Sequence, residues 1–360
     1  MNKLTYWIKN HQVIAFFVIT FAISWGLGFS IDATMKGTAG YLWPLAMIAL
    51  CGPALAGIIL TAVTNPRTRQ GAHRAFWIAF AAAWALFSIL FVAYTIRFNR
   101  ATFWGRLGVF IIVLVAVLGI SLAWSRTPAV RSYLSSLFRL RGVWGWALLA
   151  LALGPGLVLL SIPISSLLGR QPITSHQFPV TGLALVGAVV GRFIYQFFFF
   201  NATGEEIGWR GFALPRLQAL ASPLVAILVL NFFWGPWHFF LWQAEGGRPI
   251  FSLVFWAKTY LELLPGTFII SWFYNRSKGS ILVAGIAHTA ANTTFAFFPN
   301  LDWTVFNLTV AAVALVLIVV DRMWKKLPAD HPAVYREPAL EAEYQKQVAS
   351  ERQESCQSNP

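Results

Sequence analysis

Apolar runs of about 18 to 25 residues, the length that crosses a bilayer as a helix, recur along most of this 360-residue chain. They lie near residues 11–30, 41–63, 76–96, 107–124, 143–168, 180–203, 222–241, 253–274, 280–298 and 303–320. In hydrocarbon every backbone N–H and C=O must find its partner within the protein, which makes a helix the spanning form for runs of this length. The expected fold is therefore all-α: a polytopic transmembrane helix bundle of about ten spans (eight to ten), with any active-site cavity inside the membrane. Composition agrees, since only 11% of residues are charged against roughly 25% in soluble domains.

The net charge of +14 would suit a nucleic-acid binder, but its placement argues otherwise. With ten spans and an internal N-terminus, sixteen Lys and Arg fall in loops on the inner side and six on the outer side. That is the positive-inside bias. It predicts a multi-pass protein of the cell membrane with cytoplasmic N- and C-termini, whose surroundings are lipid and not nucleic acid. Lys3 and Lys9 precede the first run and no small-x-small cleavage site follows it, so a retained anchor is expected. Two cysteines, Cys51 and Cys356, give no disulfide framework. The chain divides into N-terminal transmembrane helices (1–175), a candidate catalytic core (180–299), a last helix (300–326) and a polar cytoplasmic tail (327–360) rich in Glu, Gln, Ser and Pro.

Carboxylates are expensive in hydrocarbon, so each one inside a span marks a candidate functional site. Before the tail, Glu205, Glu206 and Glu262 are the acidic residues that can lie within the membrane. In Gly204-Glu-Glu-Ile-Gly-Trp-Arg210, a helix puts Glu206 and Arg210 four apart and able to pair. At 100° per residue Glu205 points about 140° away from Arg210. Glu206 then reads as the clamp and Glu205 as the carboxylate free to face a cavity. Arg192 and Glu262 lie in apolar runs and can neutralise each other or line that cavity, while Lys258 is expected to snorkel to a membrane face.

Four of the six histidines fall in loops or at span ends. The others are His238, with Trp234 one turn before it, and His288, with Asn292 one turn after it. Glu205 and His238 are equidistant from the Ala221-Ser222-Pro223 turn, provided the sixth helix continues past residue 203. Each then sits about 24 Å along its helix from that turn, and His288 and Asn292 sit about 14 to 21 Å from the next one at Asn275–Gly279, at 1.5 Å per residue. One carboxylate, two imidazoles and an amide converge at similar depth.

A desolvated carboxylate beside an imidazole can hold a water and take its proton. A second imidazole and an amide N–H suit the oxyanion that forms when that water attacks a carbonyl. The set describes acyl hydrolysis. The alternative is zinc, with Glu205, His238 and His288 as ligands and Glu206 as base, although no His-Glu-x-x-His spacing is present.

Glu205-Glu206-x-x-x-Arg210, Trp234-x-x-x-His238 and His288-x-x-x-Asn292 together resemble the CPBP family of intramembrane proteases. That family contains the type II CAAX prenyl endopeptidases and bacteriocin-immunity-type proteins. The resemblance covers roughly residues 185–298, with Cys51–Gly57 a looser match to an early family helix. It implies an intramembrane endopeptidase acting on a peptide or membrane-protein substrate. In it Glu205 and His238 activate water, His288 and Asn292 stabilise the oxyanion, Glu206, Arg210 and Trp234 support them, and no cofactor is required. Trp234 stands where CAAX enzymes of eukaryotes usually carry Phe, which places the chain nearer the bacterial branch. Two other readings keep the helix bundle without the chemistry: a non-catalytic membrane regulator or immunity-type binding protein, and a transporter.

Overall fold

The computed structural model describes residues 3–35, 48–65, parts of 74–89, 127–170, 180–244, 249–298 and 300–336. Over these residues the protein is a polytopic bundle of helices without strands. In chain order they are α1 (Lys3–Asn10), α2 (Gln12–Met35), α3 (Gly52–Thr64), α4 (Pro128–Ser135) and α5 (Trp144–Leu167). There follow α6 (Gly182–Leu220), α7 (Pro223–Trp237), α8 (Phe239–Ala244), α9 (Leu253–Arg276), α10 (Ile281–Phe297) and α11 (Trp303–Val320).

Among the described residues six helices are long and apolar enough to span a bilayer, namely α2, α5, α6, α9, α11 and α7 with its continuation to Gln243. The helices α3 and α10 are apolar but shorter. The run expected at 107–124 lies outside the described residues, as do parts of those at 41–63 and 76–96. Two of the spanning helices are apolar all round: α5 exposes Leu148 and Leu159, and α11 exposes Leu315 and Val316. Such surfaces suit a hydrocarbon solvent.

With no hydrophobic drive between helices in lipid, close approach depends on small residues. A Cβ on Gly208 of α6 would meet the carbonyl of Pro53 in α3 at 2.3 Å. One on Gly285 of α10 would meet the Ala202 methyl of α6 at 2.7 Å. These two contacts seat α6 between α3 and α10. The helix ends are capped locally. Ser252, Ser280 and Asp302 accept hydrogen bonds from the first turns of α9, α10 and α11.

The α6–α7 turn falls at residues 221–222 and α6 runs unbroken past 203, as the spacing predicts. Its helical type differs from the regular α form: Phe197–Glu206 and Trp209–Ala213 are π-helical, with hydrogen bonds of the wider i→i+5 kind. The 100° step behind the angle between Glu205 and Arg210 therefore does not hold here.

A second difference concerns residues 327–336, which lie against the bundle instead of forming part of a solvated tail. Gln218 donates to the Ala333 carbonyl at 2.8 Å, and the Tyr335 N–H donates to the Pro215 carbonyl at 3.0 Å. Gly279, at φ +77°, makes room for this segment, because a Cβ there would sit 2.8 Å from the Pro332 carbonyl oxygen. Residues 337–360 lie outside the described part.

Candidate active site

The wide turns of α6 bring Asn201, Glu205 and Glu206 into the interior, all three buried. Glu206 and Arg210 pair at 2.9 Å with both side chains fully buried. The same Glu206 oxygen, Oε1, also contacts His288 Nδ1 at 2.8 Å. Facing a carboxylate, that nitrogen carries a proton, which fixes the ring's orientation. The guanidinium of Arg210 also lies over the Trp234 ring, 4.8 Å from its centre, a cation–π contact. Glu206 is thus the anionic hub that holds Arg210 and His288.

Glu205 has different partners. Its Oε2 accepts from the Trp234 indole N–H at 2.8 Å, and its Oε1 accepts from the Asn201 amide at 3.3 Å. Asn201 Nδ2 also lies 3.3 Å from His288 Nε2. With Nδ1 of His288 protonated toward Glu206, Nε2 is the acceptor, so one Asn201 amide group bridges Glu205 and His288. Sequence reasoning missed Asn201. The available signal was an amide one turn before Glu205, at the end of the Phe197–Phe200 run.

His238 is set by the end of α7. Proline at 236 has no N–H, and the helix stops at Trp237. The His238 N–H turns back to the Gly235 carbonyl at 3.2 Å, and His238 Nδ1 meets the Trp234 carbonyl at 2.8 Å. A carbonyl can only accept, so Nδ1 is the protonated nitrogen and Nε2 is left as a base. Trp242 stacks on the ring at 5.3 Å and 13°, and Trp234 and Trp237 meet it edge-on.

Glu205, His238, His288, Asn292, Asn201 and Trp234 line one cavity of about 920 Å³. Its walls are mainly apolar side chains of α5, α6, α9, α10 and α11. Glu206 and Arg210 stand behind this wall. Arg192, Lys258 and Glu262 also reach the cavity, but Glu262 pairs with Lys258, at 3.8 Å, and not with Arg192. Four residues along one helix face explain the preference.

Among the described residues no three His, Cys, Asp or Glu side chains are grouped to hold a metal. Both His288 nitrogens and both Glu205 oxygens are already taken up within the protein. The arrangement instead offers an oriented carboxylate and a neutral imidazole base on one cavity, with the Asn292 amide on the same wall.

Residues 188–294 match the family model described as type II CAAX prenyl endopeptidase Rce1-like. The chain is also 36% identical over 95 residues to a protein named CAAX prenyl protease 2 from Methanococcus maripaludis. That alignment covers 25% of this chain and 35% of the relative, so the chain spans about a third of the length of the curated relative it matches. Asn201, Glu205, Glu206, Arg210, Trp234, His238, His288 and Asn292 all fall within the matched segment. Residues 188–294, which carry the candidate site, are thus similar to the Rce1-like type II CAAX prenyl endopeptidases.

Proposed function

We propose that this protein is an intramembrane endopeptidase that hydrolyses a peptide bond with a water held between Glu205 and His238. The observation that carries this reading is the difference between the two adjacent glutamates. Glu206 is consumed by Arg210 and His288, whereas Glu205 faces a cavity of about 920 Å³ that also receives His238 and Asn292. A carboxylate oriented by two neutral donors, beside an imidazole whose cavity-facing nitrogen is a base, is equipped to remove a proton from water.

The water oxygen attacks the scissile carbonyl carbon while its proton passes to Glu205, with His238 Nε2 as the second acceptor of that water. The carbonyl oxygen becomes an oxyanion and receives a hydrogen bond from the Asn292 amide, while His288, whose unprotonated Nε2 accepts from Asn201, holds that amide beside Glu205. Glu205 then returns the proton to the leaving nitrogen as the C–N bond breaks, giving a carboxylic acid and an amine. No metal takes part in this scheme. The substrate is a peptide or the exposed segment of a membrane protein, and a prenyl group is not needed for the chemistry described. The protein sits in the cell membrane with both termini on the cytoplasmic side, so reporter fusions at Lys9 and Ala329 are expected to give cytoplasmic signals, and extracytoplasmic signals would overturn this orientation.

The test is cleavage of a library of internally quenched peptides by the purified chain in lipid nanodiscs. Wild type is expected to cleave a subset that Glu205→Gln leaves intact. Cleavage of the same peptides by Glu205→Gln at the wild-type rate overturns the assignment.

A further inference from the structure

A second hollow, of about 790 Å³, lies at the end of the bundle that carries the α6–α7 turn. It is walled by α1, the start of α2, the end of α6 and residues 326–336. The last of these walls is anchored as well as packed. The Leu224 N–H donates to the Met323 carbonyl at 2.9 Å, Ala333 is fully buried, and the Tyr335 ring covers the Arg216 guanidinium at 3.7 Å. Phe212 covers the other side of that guanidinium at 3.5 Å.

Among the described residues, Lys9, Arg216, Lys326 and Arg336 line the hollow together with one carboxylate, Asp330. Arg216 is already committed to Gln12 and the Phe212 carbonyl. Lys9 and Lys326 have no carboxylate partner among the described residues.

The other half of the hollow is apolar. Ile14 and Leu220 line it and are 53% and 70% exposed, on helices whose outer surfaces suit hydrocarbon. Beside it α1 exposes Leu4, Tyr6 and Trp7 between Lys3 and Lys9, the pattern of a helix lying in the membrane interface. Cations and aliphatic side chains lining one hollow suit an amphiphile with an anionic head.

We propose that this hollow binds an anionic glycerophospholipid, with the headgroup phosphate on Lys9 and Lys326 and an acyl chain along Ile14 and Leu220. Basic pockets at the membrane surface bind anionic headgroups in this way. A free phosphate ion would use the two lysines and leave the apolar wall without purpose. The binding would also fasten α1 to residues 326–336, and so brace the base of the helix that carries Glu205.

The experiment titrates the purified full chain in detergent with phosphatidylglycerol, using native mass spectrometry to count bound lipid. Phosphatidylcholine of the same acyl chains and inorganic phosphate serve as the comparison probes. Wild type is expected to retain phosphatidylglycerol in preference to phosphatidylcholine. Each lysine near the surface is worth about fivefold in binding, so Lys9→Ala with Lys326→Ala should weaken retention about 25-fold. Lys326→Ala alone, at an exposed position, should weaken it about fivefold, which keeps the test open should the double variant fold poorly.

Equal retention of the two lipids, or no loss in the single variant, overturns the proposal. Displacement of the lipid by millimolar inorganic phosphate would assign the site to the free ion instead. A last arm removes residues 337–360, whose Glu337, Glu341 and Glu343 are the chain's own candidates for the same cations. Phosphatidylglycerol binding that emerges only in this truncated form overturns the lipid assignment in favour of the tail.

Discussion

Replacing Glu206 by Gln removes the charge that compensates Arg210 in a place where neither side chain has any exposure. Arg210 already leaves Nε and one terminal nitrogen without a hydrogen-bond partner, so Glu206 Oε1 is its principal anchor. The same oxygen holds His288 Nδ1 at 2.8 Å. Breaking a buried ion pair by removing one partner costs about 3–5 kcal/mol, because an uncompensated buried charge remains. Glu205→Gln is a different perturbation. The Trp234 N–H still finds an amide oxygen, so the change is confined to the bond between Asn201 and residue 205. A neutral hydrogen bond exchanged for another costs about 1 kcal/mol or less.

Thermal denaturation in detergent, followed by intrinsic tryptophan fluorescence, should therefore show Glu205→Gln close to wild type and Glu206→Gln well below it. The double change Glu206→Gln with Arg210→Met removes the orphaned charge and should recover most of the loss, as buried pairs replaced by apolar groups commonly do. Equal losses from the two Gln variants would refute the division of labour between the glutamates. Losses that simply add in the double variant would refute the orphaned-charge explanation.

Asn201→Leu should lower kcat on the order of 100-fold by releasing Glu205 and His288 from register, with the thermal midpoint little changed; a wild-type kcat would remove Asn201 from the site. Gly208→Ala should cost about 1–3 kcal/mol and reduce membrane abundance, since its Cβ would lie 2.3 Å from Pro53 atoms. Gly266→Ala, with nothing within 4 Å, is the matched control, and a stable Gly208→Ala protein would contradict the packing of α3 on α6. Cleavage should survive exhaustive chelation, with substoichiometric zinc by elemental analysis. Activity lost on chelation and restored by zinc alone would require Glu205, His238 and His288 to rearrange as ligands.

The fold was legible because its solvent is hydrocarbon. Long apolar runs have few alternatives to helix, and the turn at residues 221–222 follows from Ser222-Pro223, where proline fits the first helical position. The pairing of Glu206 with Arg210 followed from four-residue spacing, which survives the change to a wider helix. The partner of Glu262 did not follow, because Lys258 and Arg192 were both candidates and only the packing of α6 and α9 decides which is within reach. Residues 327–336 were illegible for a related reason. Their composition is that of a solvated tail, but Ala333 and Tyr335 are held by Gln218, Pro215 and Arg216, contacts that sequence distance conceals.

The site shows where a cost-based reading stops. Carboxylates and imidazoles stand out in an apolar chain because their burial is expensive, and that filter returned Glu205, Glu206, His238 and His288. Asn201 passes beneath it, since an amide is far cheaper to bury than an ion when its hydrogen bonds are met. Yet Asn201 is the group that links Glu205 to His288, so the carboxylate facing the cavity and the imidazole tied to Glu206 are coupled through one side chain. The π-helical turns matter for the same reason. They are a change in hydrogen-bond register that composition does not encode, and within them Asn201, Glu205 and Glu206 all reach buried partners from a single helix. Local backbone widening, together with the end of α7, where the His238 N–H turns to the Gly235 carbonyl and leaves the Trp234 carbonyl to the His238 ring, converts three ordinary membrane helices into a site with defined protonation at each imidazole.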